Sequence, residues 1–187
     1  MLSAGGSGQV NLAANGAASD IVVNANVSSA SGAVTAVAGR DIALHGGNII
    51  TAADGNAVVL AAGRNFINNV GPYAILLTST GNKRWLVYSA DPANDTFGNL
   101  DSANTAVWNA TYDGTPPASV AQTGNRYLFS YQPTVTFTST DTSKTYGSDA
   151  TATVAGSYVI SGLNSGVANA YNADSNNSAF NGTPSVT

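Results

Sequence analysis

The sequence contains no cysteine and no glutamate, and charged residues make up only 9% of its 187 positions. The absence of cysteine excludes disulfides, thiolate catalysis and cysteine-ligated metal sites. Glu, Lys and Arg are the side chains that support exposed helices, and they are nearly absent here. The abundant Gly, Ser and Asn favour turns and local bonds to the backbone instead. This composition argues against a helical protein and favours an all-β fold.

Positive charge is also scarce, because Lys and Arg total 6 against 10 Asp and the formal net charge is −4. Nucleic-acid binding requires clustered Lys and Arg, so we expect no nucleic-acid partner. The chain has no run of about 18 apolar residues, so we expect no membrane-spanning segment. Residues 1–6 lack the basic region and the apolar core of a signal peptide. If the protein is exported, we therefore expect this chain to be part of a longer one.

Short apolar runs repeat at an offset of 24 residues over the first part of the chain. Residues 32–42 realign with residues 56–66, and Val10, Val34 and Val58 share the same period. One coil of this length cannot bury its own apolar side chains, whereas stacked coils align the three valines in a continuous column. The repeat predicts the terminal coils of a right-handed parallel β-helix over residues 1–70.

The repeat is lost after residue 69, and the composition changes from there. Both Trp and all eight Tyr lie within residues 73–171. Strand signals occur at residues 74–77, 84–88, 107–108 and 125–131. Large aromatic residues are suited to cover the open end of a solenoid, which would otherwise pair with another chain. We therefore expect a β-rich cap and junction over residues 71–133.

A third region begins with alternating residues at 134–140, where Thr and Ser separate Val135 and Phe137. This pattern predicts a half-buried strand with Val135 and Phe137 facing inward. Residues 157–160 predict another strand, and the remaining tail is rich in Asn, Ser, Gly and Ala. We interpret residues 134–187 as an incomplete β-grasp-like module.

Several segments resemble parts of filamentous-haemagglutinin-like exoproteins, which are large bacterial surface adhesins exported by two-partner secretion. The last coils of that family are similar to GRDIALHGG at 39–47 and AAGRNFINN at 61–69. The region that follows the solenoid in those proteins is similar to RWLVYSADP at 84–92, TAVWNA at 105–110 and NRYLFSYQP at 125–133. The start of a mostly-β-grasp repeat is similar to TSKTYG at 142–147 with ISGL at 160–163.

The resemblance implies export across both membranes of a Gram-negative cell and a location at the bacterial cell surface. It implies a role in adhesion, aggregation or biofilm formation, with an extended shaft rather than a catalyst. The implied partners are an outer-membrane transporter during export and a host or neighbouring-cell receptor or glycan bound by the parent protein. Neither the secretion domain nor the receptor-binding tip is assigned to these residues.

Four aromatic residues are candidates for a sugar-binding platform, namely Trp85, Tyr88, Trp108 and Tyr112. Aromatic rings stack on sugars, but in a chain with so few large side chains they are also needed for core packing. Burial of one large aromatic residue contributes about 2–3 kcal/mol. We therefore favour core packing for these four residues and keep carbohydrate binding as the alternative.

The acidic residues offer two further hypotheses. Asp91, Asn94 and Asp95 supply oxygens of the kind that Ca²⁺ prefers, although they match no EF-hand loop or calcium-binding repeat. Acid–base hydrolysis needs two carboxylates about 5–10 Å apart, and Asp101 and Asp113 extend the acidic group. Their Asn, Pro and Gly neighbours indicate instead that these Asp side chains bond to the backbone in turns.

The single histidine, His45, lies between a strand signal and two glycines, which predicts an exposed turn residue rather than a general base. Arg40-Asp41 and Arg64-Asn65 occupy equivalent turns one coil apart, which predicts a stacked surface ladder. The favoured function is a structural shaft and joint of a secreted adhesin, without catalysis and without a cofactor. The alternatives are a carbohydrate-binding module and a solenoid polysaccharide hydrolase or lyase.

Overall fold

The structure is a computed structural model that describes residues 1–141, 143, 145–147 and 157–180. The expected all-β fold is confirmed, because parallel sheets form a β-solenoid of about five turns. The described α-helix is a single turn, α1 (Asn176–Ala179). None of the helices in this part of the chain is long and apolar enough to cross a membrane. The described residues group into two compact units, of which the first comprises residues 1–132 and 166–172.

Thirteen strands build the first unit, and each is only two to eight residues long. In chain order they are β1 (Leu2–Ala4), β2 (Val10–Ala14), β3 (Ile21–Val23), β4 (Val27–Ser29), β5 (Val34–Ala38), β6 (Ile42–Leu44), β7 (Ile49–Thr51), β8 (Gly55–Ala62), β9 (Phe66–Asn68), β10 (Ile75–Leu77), β11 (Lys83–Ser89), β12 (Val107–Trp108) and β13 (Arg126–Phe129).

The strands form three parallel sheets, and each turn of the solenoid adds strands to them in order. Sheet 1 has the order β1-β4-β7-β10, sheet 2 the order β2-β5-β8-β11-β13-β12, and sheet 3 the order β3-β6-β9. In sheet 2, Val10 pairs with Val34, and Val34 pairs with Val58. The 24-residue repeat is therefore the register of this sheet, and it places the three valines in one buried column.

The ladders continue beyond residue 70, where the sequence repeat is lost. Ile75 pairs with Ile49 in sheet 1, and Trp85 pairs with Val58 in sheet 2. A register shift between Arg84 and Trp85 accommodates the longer connection of this turn. Stacking requires only that paired strands keep their register, so loops between strands change length without ending the solenoid.

The last strands of sheet 2 do not follow chain order. Strand β13 lies between β11 and β12, although β12 precedes it in the sequence, and both pairings are parallel. Residues 109–125 therefore leave the sheet after β12 and return to insert β13 against β11. An isolated parallel bridge between Thr105 and Asn172 connects the 166–172 segment to the end of the solenoid that contains β12 and β13, which we call the β13 end.

An aromatic cluster fills the interior at the β13 end. Tyr127 is fully buried, and its ring centroid lies 4.9 Å from those of both Trp85 and Phe97. Its hydroxyl donates a hydrogen bond to the Leu100 carbonyl at 2.7 Å. Tyr171 packs edge-on against Phe97 with centroids 5.8 Å apart. The interior thus changes from Val, Ala, Leu and Ile in the first coils to aromatic rings at this end.

The second unit contains the antiparallel pair β14 (Thr136–Ser139) and β15 (Tyr158–Ser161). The prediction that Phe137 faces inward is wrong in part, because 45% of its surface is exposed while its ring contacts Tyr158 and Phe180. The two short strands that the structure describes in this unit cover only part of a large ring. Residues 142 and 144 of the TSKTYG motif, residues 148–156 and the tail 181–187 lie outside the described residues.

Candidate functional site

The outer face of sheet 2 is the surface on which candidate site residues come together. In β5 the burial alternates, with Val34 and Ala36 fully inside the solenoid and Thr35 and Val37 partly exposed on the outer face. This alternation follows from the two-residue period of a strand. In β8 both faces are buried, so a second layer must cover the outer face of the later coils.

That second layer is the segment 109–125 between β12 and β13, which we call the flap. Ala110 and Val120 of the flap pack on the outward side chains Leu86 and Tyr88 of β11. The outward residues of β8 and β13 complete this outer cluster, namely Val59, Ala61 and Leu128. Burial of these apolar side chains fixes the flap on the sheet.

Arg84 holds the flap in place from the start of β11. Its guanidinium donates hydrogen bonds to the carbonyls of Pro117 and Val120, both at 3.1 Å, and to the carbonyl of Gln122. It also donates to the Asn56 side-chain oxygen at 2.6 Å. These bonds satisfy carbonyls that a strand-free loop would otherwise leave without partners.

A groove of about 400 Å³ lies where the flap ends and the outer face of the earlier coils begins. We call it the outer groove. Its floor includes small residues at the strand ends of coils 2 and 3, and the flap supplies residues 110–113 on one side. The residues that matter for its chemistry are Asn15, Ser89, Tyr88, Thr111, Tyr112 and Asp113.

The structure divides the four aromatic candidates between the two faces of sheet 2. Trp85 is buried inside the solenoid, and Trp108 packs at the edge of the same interior cluster, 5.3 Å from Phe129 between ring centroids. Tyr88 and Tyr112 belong to the outer cluster and line the outer groove. The four residues therefore do not form one platform, because strand alternation turns Trp85 and Tyr88 to opposite faces.

Tyr88 and Tyr112 form a perpendicular pair at the end of the outer groove. Their ring centroids are 5.7 Å apart and the interplanar angle is 89°. Tyr88 is buried, and its hydroxyl donates to the Thr115 carbonyl at 2.9 Å. Burial raises the pKa of the Tyr88 hydroxyl to about 12, so it remains a donor at neutral pH. Tyr112 is only partly buried and remains accessible from the groove.

The calcium candidates are engaged in separate backbone interactions. Asp91 caps a short 3₁₀ helix and accepts the Ala93 N–H at 2.9 Å, while Asn94 is exposed. Asp95 accepts the Phe66 N–H at 2.7 Å, and its other oxygen bonds to the Ser89 hydroxyl. Among the described residues, no group of three or more His, Cys, Asp or Glu is arranged to hold a metal ion.

Asp95 has the most perturbed carboxyl group of the solenoid. Burial raises its pKa to about 7, against the lowering effect of the Ser89 hydroxyl and the Phe66 N–H. The carboxyl joins strand β9, through Phe66, to strand β11, through Ser89. Its position between two coils gives it a structural role in the stack.

The other two acidic candidates, Asp101 and Asp113, lie in different surroundings. Asp101 accepts the Ala103 N–H at 2.8 Å, as expected for an Asp that bonds within its own turn. Asp113 lies in the outer groove and is exposed. His45, the only histidine, is an exposed turn residue, as the sequence predicts. The arrangement brings no second carboxylate beside Asp113 in the outer groove.

The predicted ladder of turns is present as two stacked ion pairs. Arg40 donates to Asp20 one coil earlier, through Nε at 2.7 Å and through a second nitrogen. Arg64 donates in the same way to Asp41, with Nε 2.9 Å from the carboxylate. The guanidinium of Arg64 lowers the pKa of Asp41. Both guanidinium groups are accessible to solvent, so these pairs contribute little to stability and their main effect is on coil register.

Sequence reasoning missed two pairs of polar residues, one at the outer groove and one inside the solenoid. Asn15 and Thr111 line the outer groove but carry no motif, and their proximity follows only from the folded flap. Inside the solenoid, Ser29 and Thr51 bond to loop carbonyls through buried hydroxyls. A signal for the second pair was present, because a hydroxyl residue ends the sheet 1 strand in both coils.

No known protein family, curated protein or solved structure matches this chain in sequence or fold comparisons.

Proposed function

We propose that this chain is the end of a solenoid shaft, with its cap and joint, in a large secreted bacterial surface adhesin. The resemblance of its segments to filamentous-haemagglutinin-like exoproteins supports this proposal, and the β-solenoid fold is compatible with it. Under this proposal an outer-membrane transporter exports the parent protein, and the parent protein binds a host or neighbouring-cell receptor or glycan. The role is mechanical and involves no catalysis.

The observation that carries the proposal is the difference between the two ends of the solenoid. At the β13 end, aromatic side chains and the 166–172 segment close the interior. At the β1 end, the inward side chains Leu12 and Ile21 are only partly buried, whereas Ile42 one coil further in is 0% exposed. Leu2 is 45% exposed at the same end.

The β1 end also presents unpaired backbone groups. Strands β1, β2 and β3 each have one parallel neighbour and no second partner among the described residues. Solenoids need either a polar cap or a further coil at each end, because an open end exposes both apolar surface and strand edges. A further coil of the same pattern would bury Leu12 and Ile21 and pair all three edges. The last segment of a shaft needs one end that is closed and another end on which further coils can stack.

The modular part of the proposal is tested by adding one turn. Residues 27–48 make one complete turn, since Val27 and Ile49 are register partners in sheet 1. A duplicate of residues 27–48 inserted after Asn48 should fold, lengthen the particle by about 4.8 Å in small-angle X-ray scattering and raise the thermal midpoint. The matched control carries Ile42→Asp in the duplicate only, and it should lower the midpoint. Equal behaviour of the two insertions would contradict coil stacking as the basis of the chain.

The cellular part of the proposal is tested by location. Antibodies raised against the full chain should label intact, unpermeabilised cells of the organism that produces it, and a deletion of its coding region should reduce cell adhesion or aggregation. The control is labelling of a cytoplasmic marker, which must require permeabilisation. Labelling that appears only after lysis would refute surface display.

A further inference from the structure

The outer groove contains side chains that the fold itself does not use. Asn15 and Asp113 are exposed and have no hydrogen-bond partner among the described residues. They come from different parts of the chain, Asn15 from the corner of coil 1 and Asp113 from the flap. The part of the Tyr112 ring not covered by Tyr88 faces the same space. The groove thus combines an accessible aromatic ring with polar groups on separate elements.

The chemistry of these groups favours a carbohydrate over a peptide strand. The backbone beneath the groove is already paired on both sides, because β5 lies between β2 and β8. A peptide therefore cannot add to the sheet as an extra strand at this position. Recognition has to come from side chains, and a ring face with nearby amide, hydroxyl and carboxylate groups suits the apolar face and hydroxyl groups of a pyranose.

The charge of the groove narrows the class of sugar. Asp113 is the only charged residue that lines it, and no Lys, Arg or His does so. A carboxylate disfavours uronic acids and sulfated sugars because like charges repel. It accepts hydrogen bonds from sugar hydroxyls, and charge-assisted bonds of this kind are stronger than neutral ones. Small residues such as Gly39 and Gly63 also line the groove.

We propose that the outer groove binds a neutral oligosaccharide, which stacks on Tyr112 and donates hydroxyl hydrogen bonds to Asp113. Asn15 contacts the sugar from the opposite element of the groove. This activity goes beyond the shaft role and does not depend on it, because it requires only the flap and the first coils. Under this proposal two of the four aromatic candidates, Tyr88 and Tyr112, lie beside the same ligand.

The test uses the full chain against an array of neutral, amino, uronic and sulfated oligosaccharides, followed by calorimetric titration of the best neutral probe. Tyr112→Ala should weaken binding by about tenfold or more, and Tyr112→Phe should retain it because the ring remains. Asp113→Asn should weaken binding while the thermal midpoint stays unchanged. The matched control is Tyr73→Ala, since Tyr73 is 70% exposed and lies outside the groove.

Each outcome of this test either supports the proposal or overturns it. Neutral-sugar binding that is lost in Tyr112→Ala, kept in Tyr112→Phe and kept in Tyr73→Ala supports the proposal. Absence of neutral-sugar binding at millimolar concentration, equal binding by Tyr112→Ala, or a preference for uronic or sulfated sugars overturns it. Circular dichroism of each variant confirms that the fold is retained. If Tyr112→Ala unfolds, Asp113→Asn decides the test, because unchanged neutral-sugar binding by that variant overturns the proposal.

Discussion

The hydroxyl of Thr51 provides a test of how polar groups hold the interior of the solenoid. Thr51 is 0% exposed. Its Oγ1 donates to the Gly32 carbonyl at 2.7 Å and accepts the Ala53 N–H at 3.0 Å. Thr51→Val keeps the shape of the side chain and removes both bonds. The variant leaves one carbonyl and one N–H buried without partners.

The expected cost follows from these two groups. Each buried backbone group that loses its partner costs about 1–3 kcal/mol, and the added methyl of valine recovers about 1 kcal/mol through burial. The net loss in the free energy of unfolding should be about 1–5 kcal/mol. For a chain of this size each kcal/mol lowers the thermal midpoint by about 2–4 °C, so the midpoint should fall by roughly 2–20 °C.

The measurement is urea and thermal unfolding followed by far-ultraviolet circular dichroism. Thr35→Val is the matched control, because Thr35 lies partly exposed on the outer face of β5, and its change should stay within about 0.5 kcal/mol. Thr51→Ser should retain most of the stability, since Ser29 makes the equivalent bond to the Gly8 carbonyl one coil earlier. If Thr51→Val and Thr35→Val lower stability equally, the reasoning about the buried hydroxyl is refuted.

Three further predictions concern other parts of the solenoid. Asp95 has a pKa of about 7 in the folded state and about 3.8 in the unfolded state, so the folded state holds this proton more tightly. The free energy of unfolding should therefore fall as the pH rises from 4 to 8, and Asp95→Asn should flatten that profile. Tyr127→Phe should cost about 1–2 kcal/mol in chemical denaturation, because the buried Leu100 carbonyl loses its donor. Gly47→Ala should lower the free energy of unfolding by at least about 2 kcal/mol, because Gly47 has φ +80 and a Cβ there would lie 2.3 Å from the backbone of the preceding coil. Gly5→Ala is the control, because a Cβ at Gly5 would meet open space.

Each of these has an outcome that would contradict it. A flat stability profile for the unmodified chain between pH 4 and 8 would show that Asp95 titrates normally. Equal denaturation midpoints for Tyr127→Phe and the unmodified chain would mean that water replaces the lost donor. Equal effects of alanine at Gly47 and Gly5 would mean that the coil contact at Gly47 relaxes at little cost.

The sequence determines the coils that repeat, because each coil must present apolar residues where its neighbours do. Val10, Val34 and Val58 were assigned to one column from their spacing, and their observed pairing matches that spacing. The exposed turn at His45 and the ladder built from Arg40 and Arg64 also followed from local pattern. Turn residues act locally, so a single coil carries enough information to place them.

The continuation of the stack past residue 70 and the division of the aromatic residues required the tertiary structure. Trp85 and Tyr88 both look like core or platform residues in the sequence, and strand alternation could place either one inside. The register of β11 on β8 decides that Trp85 enters the interior and Tyr88 the outer face. That register includes a shift between Arg84 and Trp85, which no repeat in the sequence predicts.

The capped end was decided entirely by long-range packing. Strand β13 inserts between β11 and β12 against chain order, and Tyr171 joins Phe97 and Tyr127 from far along the chain. The outer groove exists only because this insertion leaves residues 109–125 to fold back over sheet 2. The sequence by itself thus determined the register of the first three coils in sheet 2, since apolar residues that recur every 24 positions bury one another only when the coils stack. The tertiary structure decided how the stack is closed, since strand order and loop return depend on which surfaces remain to be buried.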